Sequence, residues 1–251
     1  MDILMYLIAG LLAGIATGLV GLSAATIIAP LFATFLGIPV YQAIGIALAS
    51  DVFASANSAR IYYVNKNINI KKSILFAIVV ISFTIIGSYF SKDMNPYNLN
   101  SIINGIVIFL GIRFIVYPVK SRSAGKRGKF ILTQTIFWGM VIGLINGYFG
   151  SGGGLSILAV LTMLLGYGLK EAIGTSVLIM TFTAFVGAAT HIAIGGTIWI
   201  ALLITSVGAF IGAQVASKYA NRISEVKLNR VIGSFLIIYG ICLVVSFFIQ
   251  N

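Results

Sequence analysis

The chain has 251 residues, of which 59% are hydrophobic and only 8% are charged, whereas about 25% of the residues in soluble domains are charged. This composition excludes a soluble domain and indicates a chain that crosses a lipid bilayer in segments of about 20 apolar residues. The net charge of +11 does not indicate a nucleic-acid partner, because the basic residues lie in short loops between apolar segments, where lipid headgroups account for them.

Apolar segments follow one another in the same order in both halves of the chain. Each half begins with one long segment that small residues interrupt, and continues with three shorter segments. They are 3–36 (interrupted at 18–23), 43–63, 73–90 and 99–117, then 130–165 (interrupted at 147–154), 172–194, 198–216 and 228–249. A polar, basic run separates the halves. The sequence therefore predicts a first transmembrane repeat over 1–118, a cytoplasmic linker over 119–129 and a second transmembrane repeat over 130–251.

The two halves also share sequence. Gln42-Ala43-Ile44-Gly45 returns as Glu171-Ala172-Ile173-Gly174, an offset of 129 residues (Gly45 to Gly174). The same offset carries five further glycines onto glycines without a gap: Gly10, Gly14, Gly18, Gly21 and Gly37 onto Gly139, Gly143, Gly147, Gly150 and Gly166. Two glycine-punctuated copies in an apolar chain are typical of secondary transporters and channels, whose site lies where the copies meet. Glycines at a spacing of four also predict close helix packing.

The basic loops change sides between the copies. The loop after the second segment is basic only in the first copy, and the loop after the third segment is basic only in the second copy. Their basic residues are Arg60, Lys66, Lys71 and Lys72, and Lys218, Arg222, Lys227 and Arg230, respectively. Because Lys and Arg accumulate in cytoplasmic loops, the copies are expected to be inverted, with both long segments forming hairpins and both termini outside. Four simple passes per copy would instead make the copies parallel and place a basic loop outside.

The predicted fold is an all-α polytopic membrane protein with two inverted-topology repeats, each a broken or re-entrant helical hairpin followed by three transmembrane helices. The breaks are the expected site, since non-helical backbone inside a bilayer needs protein or water to satisfy it and a helix start can hold an anion. Ser151, Gly152, Gly153 and Gly154 are predicted to bind this anion, with a helix starting near Leu155. The corresponding candidates in the first copy are Ser23, Ala24 and Thr26.

The tandem order of a Gly-rich break, an apolar arm, an Ala-Ile-Gly box and the turn Gly195-Gly196-Thr197 resembles the TauE/SafE sulfite exporter family over essentially the whole chain. The resemblance implies a multi-pass carrier in the plasma or inner membrane for small sulfur-containing anions such as sulfite, sulfonates or sulfoacetate. The chain departs from the family pattern at Ser23-Ala24-Ala25, where members tend to carry glycines.

Polar residues inside the segments supply further candidates. Asp51 lies well inside 43–63, with Ser50 and Asn57 nearby, and an intramembrane carboxylate is costly unless paired, hydrated or protonated. We expect these three residues to bind or relay the proton or cation that drives transport. The alternative for Asp51 is a carboxylate that reaches water or satisfies a neighbouring Ser or Asn.

Three more polar residues adjoin the second break or the box that follows it. Asn146 either caps the break or contacts the substrate. Thr175 and Ser176 follow the Gly174 box and reach a ligand from the next helix, or else bond to carbonyls of their own helix.

The remaining chemistry is sparse. His191, the single histidine, is either a proton shuttle or an interfacial residue, and the single cysteine, Cys242, is predicted to be a buried core thiol. The chain has no HExxH or CxxC motif and no clustered metal ligands, so we expect no cofactor, no metal and no enzymatic activity. A secondary anion transporter is the favoured function, and a passive channel of paired half-helices is the alternative. The sequence does not indicate an oligomeric state.

Overall fold

The computed structural model describes residues 2–68, 70–89, 109–119, 131–149 and 153–250. Over these ranges the chain is helical and contains no β-strand, as an all-α fold requires. Ser151 and Gly152, most of the predicted linker and the first part of the predicted segment 99–117 lie outside the described residues.

Ten helices occur in the described part of the chain. They are α1 (Asp2–Val20), α2 (Ala25–Leu36), α3 (Val40–Val64), α4 (Ile70–Tyr89), α5 (109–116), α6 (Ile131–Phe149), α7 (Gly153–Ala159), α8 (Leu169–Gly195), α9 (Trp199–Arg222) and α10 (Glu225–Gln250). A π-helical turn, Val160–Leu164, continues α7.

Helix length separates crossing helices from short arms. Asp2–Val20, Leu169–Ala193 and Trp199–Arg222 are long and apolar enough to cross a membrane. The second arm of each hairpin is shorter: α2 has 12 residues, and α7 with its π-helical turn covers Gly153–Leu164. At 1.5 Å per residue such arms extend about 18 Å, well short of a hydrocarbon core about 30 Å thick.

Both breaks are narrower than the sequence indicates. α1 continues to Val20 and α2 begins at Ala25, so Gly18 is helical. In the second copy α6 continues to Phe149, and α7 begins at Gly153 rather than near Leu155. Glycine lowers helix propensity by only about 1 kcal/mol, and packing in an apolar environment overrides this cost at Gly18 and Gly147.

Helices of one copy pack mainly against helices of the other. α1 lies along α9, α4 along α6, and α3 along α8. At the 129-residue offset, α1 corresponds to α6, α4 to α9, and α3 to α8. The α1–α9 contact and the α4–α6 contact are therefore equivalent under the repeat, and the α3–α8 contact joins two equivalent helices.

Glycines bring the backbones of α1 and α9 together. Gly10 lies against the carbonyl oxygen of Thr205, and Gly14 lies against that of Ala209. Gly18 is equally close, since a Cβ on it would stand 2.6 Å from the carbonyl oxygen of Ala213. The prediction that these three glycines pack helices together is confirmed. Because the residue numbers rise together, α1 and α9 run in the same direction.

The equivalent contact joins α4 and α6. A Cβ on Gly139 would stand 2.9 Å from a methyl carbon of Val79, and one on Gly143 would stand 2.5 Å from the carbonyl oxygen of Val80. These two helices also run in the same direction, in the register that the offset from α1 and α9 requires.

The central helices α3 and α8 run in opposite directions. Gly45, near the start of α3, lies against His191 near the end of α8, and Gly174, near the start of α8, lies against Tyr62 near the end of α3. Gly45 corresponds to Gly174, and Tyr62 corresponds to His191, so this contact is also made twice.

Cys242 corrects one prediction. It is exposed rather than buried in the core. Its neighbours Ile238 and Ile241 on α10 are also exposed, by 63% and 53%. The burial preference of cysteine was measured in water-soluble proteins, whereas an apolar side chain of a membrane helix needs no protein around it.

Candidate functional site

The first break places a carboxylate at the start of a helix. The chain leaves α1 at Val20 and turns at Gly21, whose φ of +74° favours glycine. α2 then begins at Ala25. Asp51, halfway along α3 and 1% exposed, faces this turn. The Ser23 hydroxyl donates a hydrogen bond of 2.7 Å to its Oδ2, and the Thr17 hydroxyl lies 3.4 Å from its Oδ1.

This cradle lies at the first turn of α2. Two hydroxyls beside the positive end of that helix thus face Asp51. The sequence alternative, in which Asp51 satisfies a neighbouring serine, matches the Ser23 contact. Hydroxyl groups at a helix start are also groups that can hold a bound anion.

Ser50 and Asn57 face a different helix. The Ser50 hydroxyl donates to the carbonyl of Ile46 at 2.9 Å and lies 3.3 Å from the Ser206 hydroxyl. The Asn57 amide donates to the carbonyl of Phe210 at 3.2 Å. Both residues therefore join α3 to α9, and their role in coupling stays a prediction.

After the second break the described residues resume at Gly153, and Gly154 makes a close contact with the first break. Gly154 lies against the carbonyl oxygen of Gly21 and against the sulfur of Met180. No side chain larger than hydrogen fits there, since a Cβ would overlap both neighbours. The first break therefore touches the start of α7, which is distant from it in sequence.

Asn146 is the polar side chain of this second break. It is 7% exposed, and its amide lies directly against Gly153: a Cβ on Gly153 would stand 2.5 Å from Nδ2 and 2.8 Å from Oδ1. Neither Nδ2 nor Oδ1 has a hydrogen-bond partner in the part of the chain that the structure describes. Buried polar atoms are nearly always paired. The unpaired Asn146 amide is therefore unusual and is a candidate group for binding a ligand.

The other predicted contacts lie around the breaks. The Thr26 hydroxyl donates to the carbonyl of Ser23 at 2.6 Å and so closes the first turn of α2. The Ser176 hydroxyl donates to the carbonyl of Ile173 at 2.9 Å while it also contacts Gly21. Thr175 points away towards α4, with its hydroxyl 3.4 Å from that of Ser73.

Sequence reasoning missed Thr17 and named Gly21 only as part of the repeat. Thr17 is fully buried, and besides facing Asp51 its hydroxyl donates to the carbonyl of Leu22 at 2.8 Å. The repeat could have identified Thr17, because Thr17 corresponds at the 129-residue offset to Asn146, which the sequence analysis did name as a candidate.

His191 lies at the far end of α8 from Thr175. Its ring lies 4.2 Å from the ring of Tyr41, and its Nδ1 has no partner among the described residues. The sequence alternatives of a proton shuttle and an interfacial residue both remain predictions.

Comparison with known proteins gives a consistent answer. The sequence model of the family described as "Sulfite exporter TauE/SafE" matches residues 6–243. The chain is 26% identical to the "Probable membrane transporter protein YdhB" of Bacillus subtilis, over 88% of this chain and 91% of that protein. It is 25% identical to the "Probable membrane transporter protein YunE" of the same organism, over 96% of each. It is also 25% identical to the "Probable membrane transporter protein YfcA" of Escherichia coli K12, over 73% and 71%. No solved structure matches the chain.

Proposed function

This chain belongs to the sulfite exporter TauE/SafE family, and we propose that it is a secondary transporter of a small sulfur-containing anion. The substrate is of the sulfite, sulfonate or sulfoacetate type, and it crosses a cell membrane by alternating access. The relatives are named as probable membrane transporters, and three helices have the length and composition for a membrane. The transporter needs no cofactor and performs no enzymatic reaction.

The contact directions support the inverted repeat. α3 and α8 are equivalent and antiparallel, since the start of each lies against the end of the other. α1 runs with α9, and α4 runs with α6. Because short loops reverse the chain between α3 and α4 and between α8 and α9, α1 and α6 must run in opposite directions. Inverted copies with midplane breaks are the architecture of many secondary transporters.

The observation that carries the proposal is the contact of the first break with the start of α7, beside an unpaired amide. Gly154 touches Gly21, and the Asn146 amide next to it has no partner among the described residues. Small residues allow this close approach, and the second arm of each hairpin is too short to cross a hydrocarbon core about 30 Å thick. We place the substrate at Asn146, Gly153 and Gly154, together with Ser151 and Gly152.

Asp51 supplies the coupling step in this proposal. A buried carboxylate in a span is costly and is typical of proton and cation pathways. Its hydroxyl partners Ser23 and Thr17 remain hydrogen-bonded to either protonation state, so a proton can bind and leave without unfolding the break. Ser50 and Asn57 hold the neighbouring turns of α3 against α9.

A passive channel is the second candidate, because paired half-helices also line pores. A counterflow experiment distinguishes the carrier from the channel. Proteoliposomes with the purified protein and an internal excess of unlabelled sulfite should take up labelled sulfite faster than vesicles without the excess. With the membrane potential held at zero by valinomycin and equal K⁺ on both sides, a channel would show no such acceleration, and that result would reject the carrier.

The site assignment is tested in the same vesicles with Gly153→Val, which drives a side chain into the Asn146 amide. Uptake should fall at least about tenfold, the effect of about 1.4 kcal/mol. Gly187→Val is the matched control, since its nearest neighbour is the flexible end of Leu48. Unchanged uptake of every sulfur oxyanion by Gly153→Val would show that the second break is not the site.

A further inference from the structure

The two copies treat one pair of positions differently. At the 129-residue offset Thr17 corresponds to Asn146, and Asp51 corresponds to Met180. In the first copy the Asp51 carboxylate accepts a hydrogen bond from Ser23 and lies 3.4 Å from the Thr17 hydroxyl, which donates to the carbonyl of Leu22. In the second copy the thioether of Met180 stands in its place, and a thioether is a weak acceptor and no donor.

The two copies also pair this position differently. The Thr17 hydroxyl lies 3.4 Å from the Asp51 carboxylate, whereas the Asn146 amide lies against the Gly153 backbone. An amide offers two donors on Nδ2 and an acceptor on Oδ1. Both atoms of Asn146 lack partners among the described residues, so the missing group must accept one hydrogen bond and donate another.

On the basis of the proposed function, we infer that Asn146 holds the substrate at the second break through both of its amide atoms. Nδ2 donates to an anionic oxygen of the substrate, and Oδ1 accepts from an N–H or O–H group of the same substrate.

This geometry selects a chemical class. A monoanion with a donor beside its charged group, such as hydrogen sulfite, satisfies both atoms of the amide. A sulfonate with an alkyl group in place of the donor leaves Oδ1 unpaired, and a dianion such as sulfate offers no proton at all. Sites built to hydrogen-bond a substrate group reject analogues without it, because the buried partner is then left unpaired.

Sulfamate and methanesulfonate test the selection, since they are isosteric monoanions that differ in an NH₂ and a CH₃ group. Each is added as a competitor of labelled sulfite uptake into proteoliposomes with the wild-type protein. Sulfamate should compete at a concentration lower by about tenfold or more. Equal competition, or none by sulfamate, would overturn this inference while sulfite uptake itself continues. Absence of sulfite uptake would instead overturn the proposed function.

Substitution assigns the selection to Asn146. Asn146→Leu should bring the two competitors within roughly twofold of each other, because no amide remains to be satisfied. Asn65→Leu, at an exposed amide that bonds the carbonyl of Ile61, should keep the full preference. Asn146→Ala serves as the second variant if Asn146→Leu is not monodisperse on gel filtration. A preference that survives in the folded variant would assign the selection to another group.

Discussion

Gly154 of the second copy packs against the carbonyl oxygen of Gly21 in the first copy. The two residues are 133 positions apart, from 21 to 154, yet no side chain separates them. This contact joins the first break to the start of α7 in one region, which Asp51 approaches from α3 and Met180 from α8.

Gly154→Ala should reduce sulfite uptake by at least about tenfold, because the new methyl group would overlap the Gly21 carbonyl and the Met180 sulfur, and overpacking costs about 1–3 kcal/mol. Initial uptake rates in proteoliposomes of equal protein content measure the effect.

Gly187→Ala on α8 provides the control, since its Cβ would meet only the end of the Leu48 side chain at 2.9 Å. Equal rates for Gly154→Ala and Gly187→Ala would mean that the contact of the two breaks is irrelevant to transport.

Asp51→Asn should abolish accumulation of the anion driven by a pH gradient while it preserves exchange at equal pH. Asparagine keeps the shape and the hydrogen bonds to Ser23 and Thr17 but cannot take up a proton. Uptake with and without an imposed pH gradient, compared with counterflow, measures the two modes separately.

Asp2→Asn, at an exposed residue in the first turn of α1, should retain both modes. Gradient-driven accumulation by the Asp51→Asn protein would remove Asp51 from the coupling step. Wild-type flux that ignores pH altogether would favour the passive channel.

Gly14→Val should destabilise the fold rather than change selectivity. Its side chain would enter the backbone of Ala209 on α9, at an expected cost of about 1–3 kcal/mol. The midpoint of thermal unfolding, followed by size-exclusion chromatography of detergent-solubilised protein, should fall.

Leu12→Ile tests the opposite side of the same helix, where Leu12 is 50% exposed, and should leave the midpoint unchanged. If both variants unfolded at the wild-type temperature, the α1–α9 contact would not contribute to stability.

Both termini should lie outside the cell, as the swap of basic loops between the copies indicates. Alkaline phosphatase fused to the C-terminus is active only if the C-terminus lies outside. Green fluorescent protein fused to the C-terminus fluoresces only if the C-terminus lies in the cytoplasm. We expect phosphatase activity and no fluorescence. The reverse pattern would invert the whole topology.

The helices could be predicted because apolar length and glycine spacing determine them locally. Gly10, Gly14 and Gly18 predicted helix packing, and the structure supplies their partners on α9. The sequence could not show that Asp51 faces Ser23 rather than Ser50, because the direction of a side chain around a uniformly apolar helix is set by its tertiary neighbours. Cys242 was predicted wrongly because, in an apolar solvent, the hydrophobicity of a side chain does not determine its burial.

Asn146 shows the limit for the site. Its position beside the break was readable from the sequence, as was the replacement of Asp51 by Met180. Only the packing of α6 against α7 and α8 shows that the amide lies on Gly153 without a partner in the described part of the chain.

The glycine contacts of α1 with α9 and of α4 with α6 have a consequence for motion. Each tightly joined pair takes one helix from either copy, so neither sequence repeat can move as a rigid body without tearing backbone contacts. In the proposed alternating-access mechanism the rigid bodies are therefore composites, with α1 and α9 in one and α4 and α6 in the other. If the two halves of the chain were separated, the first half would expose the glycines of α1, and the surface complementary to them lies on α9 of the second half.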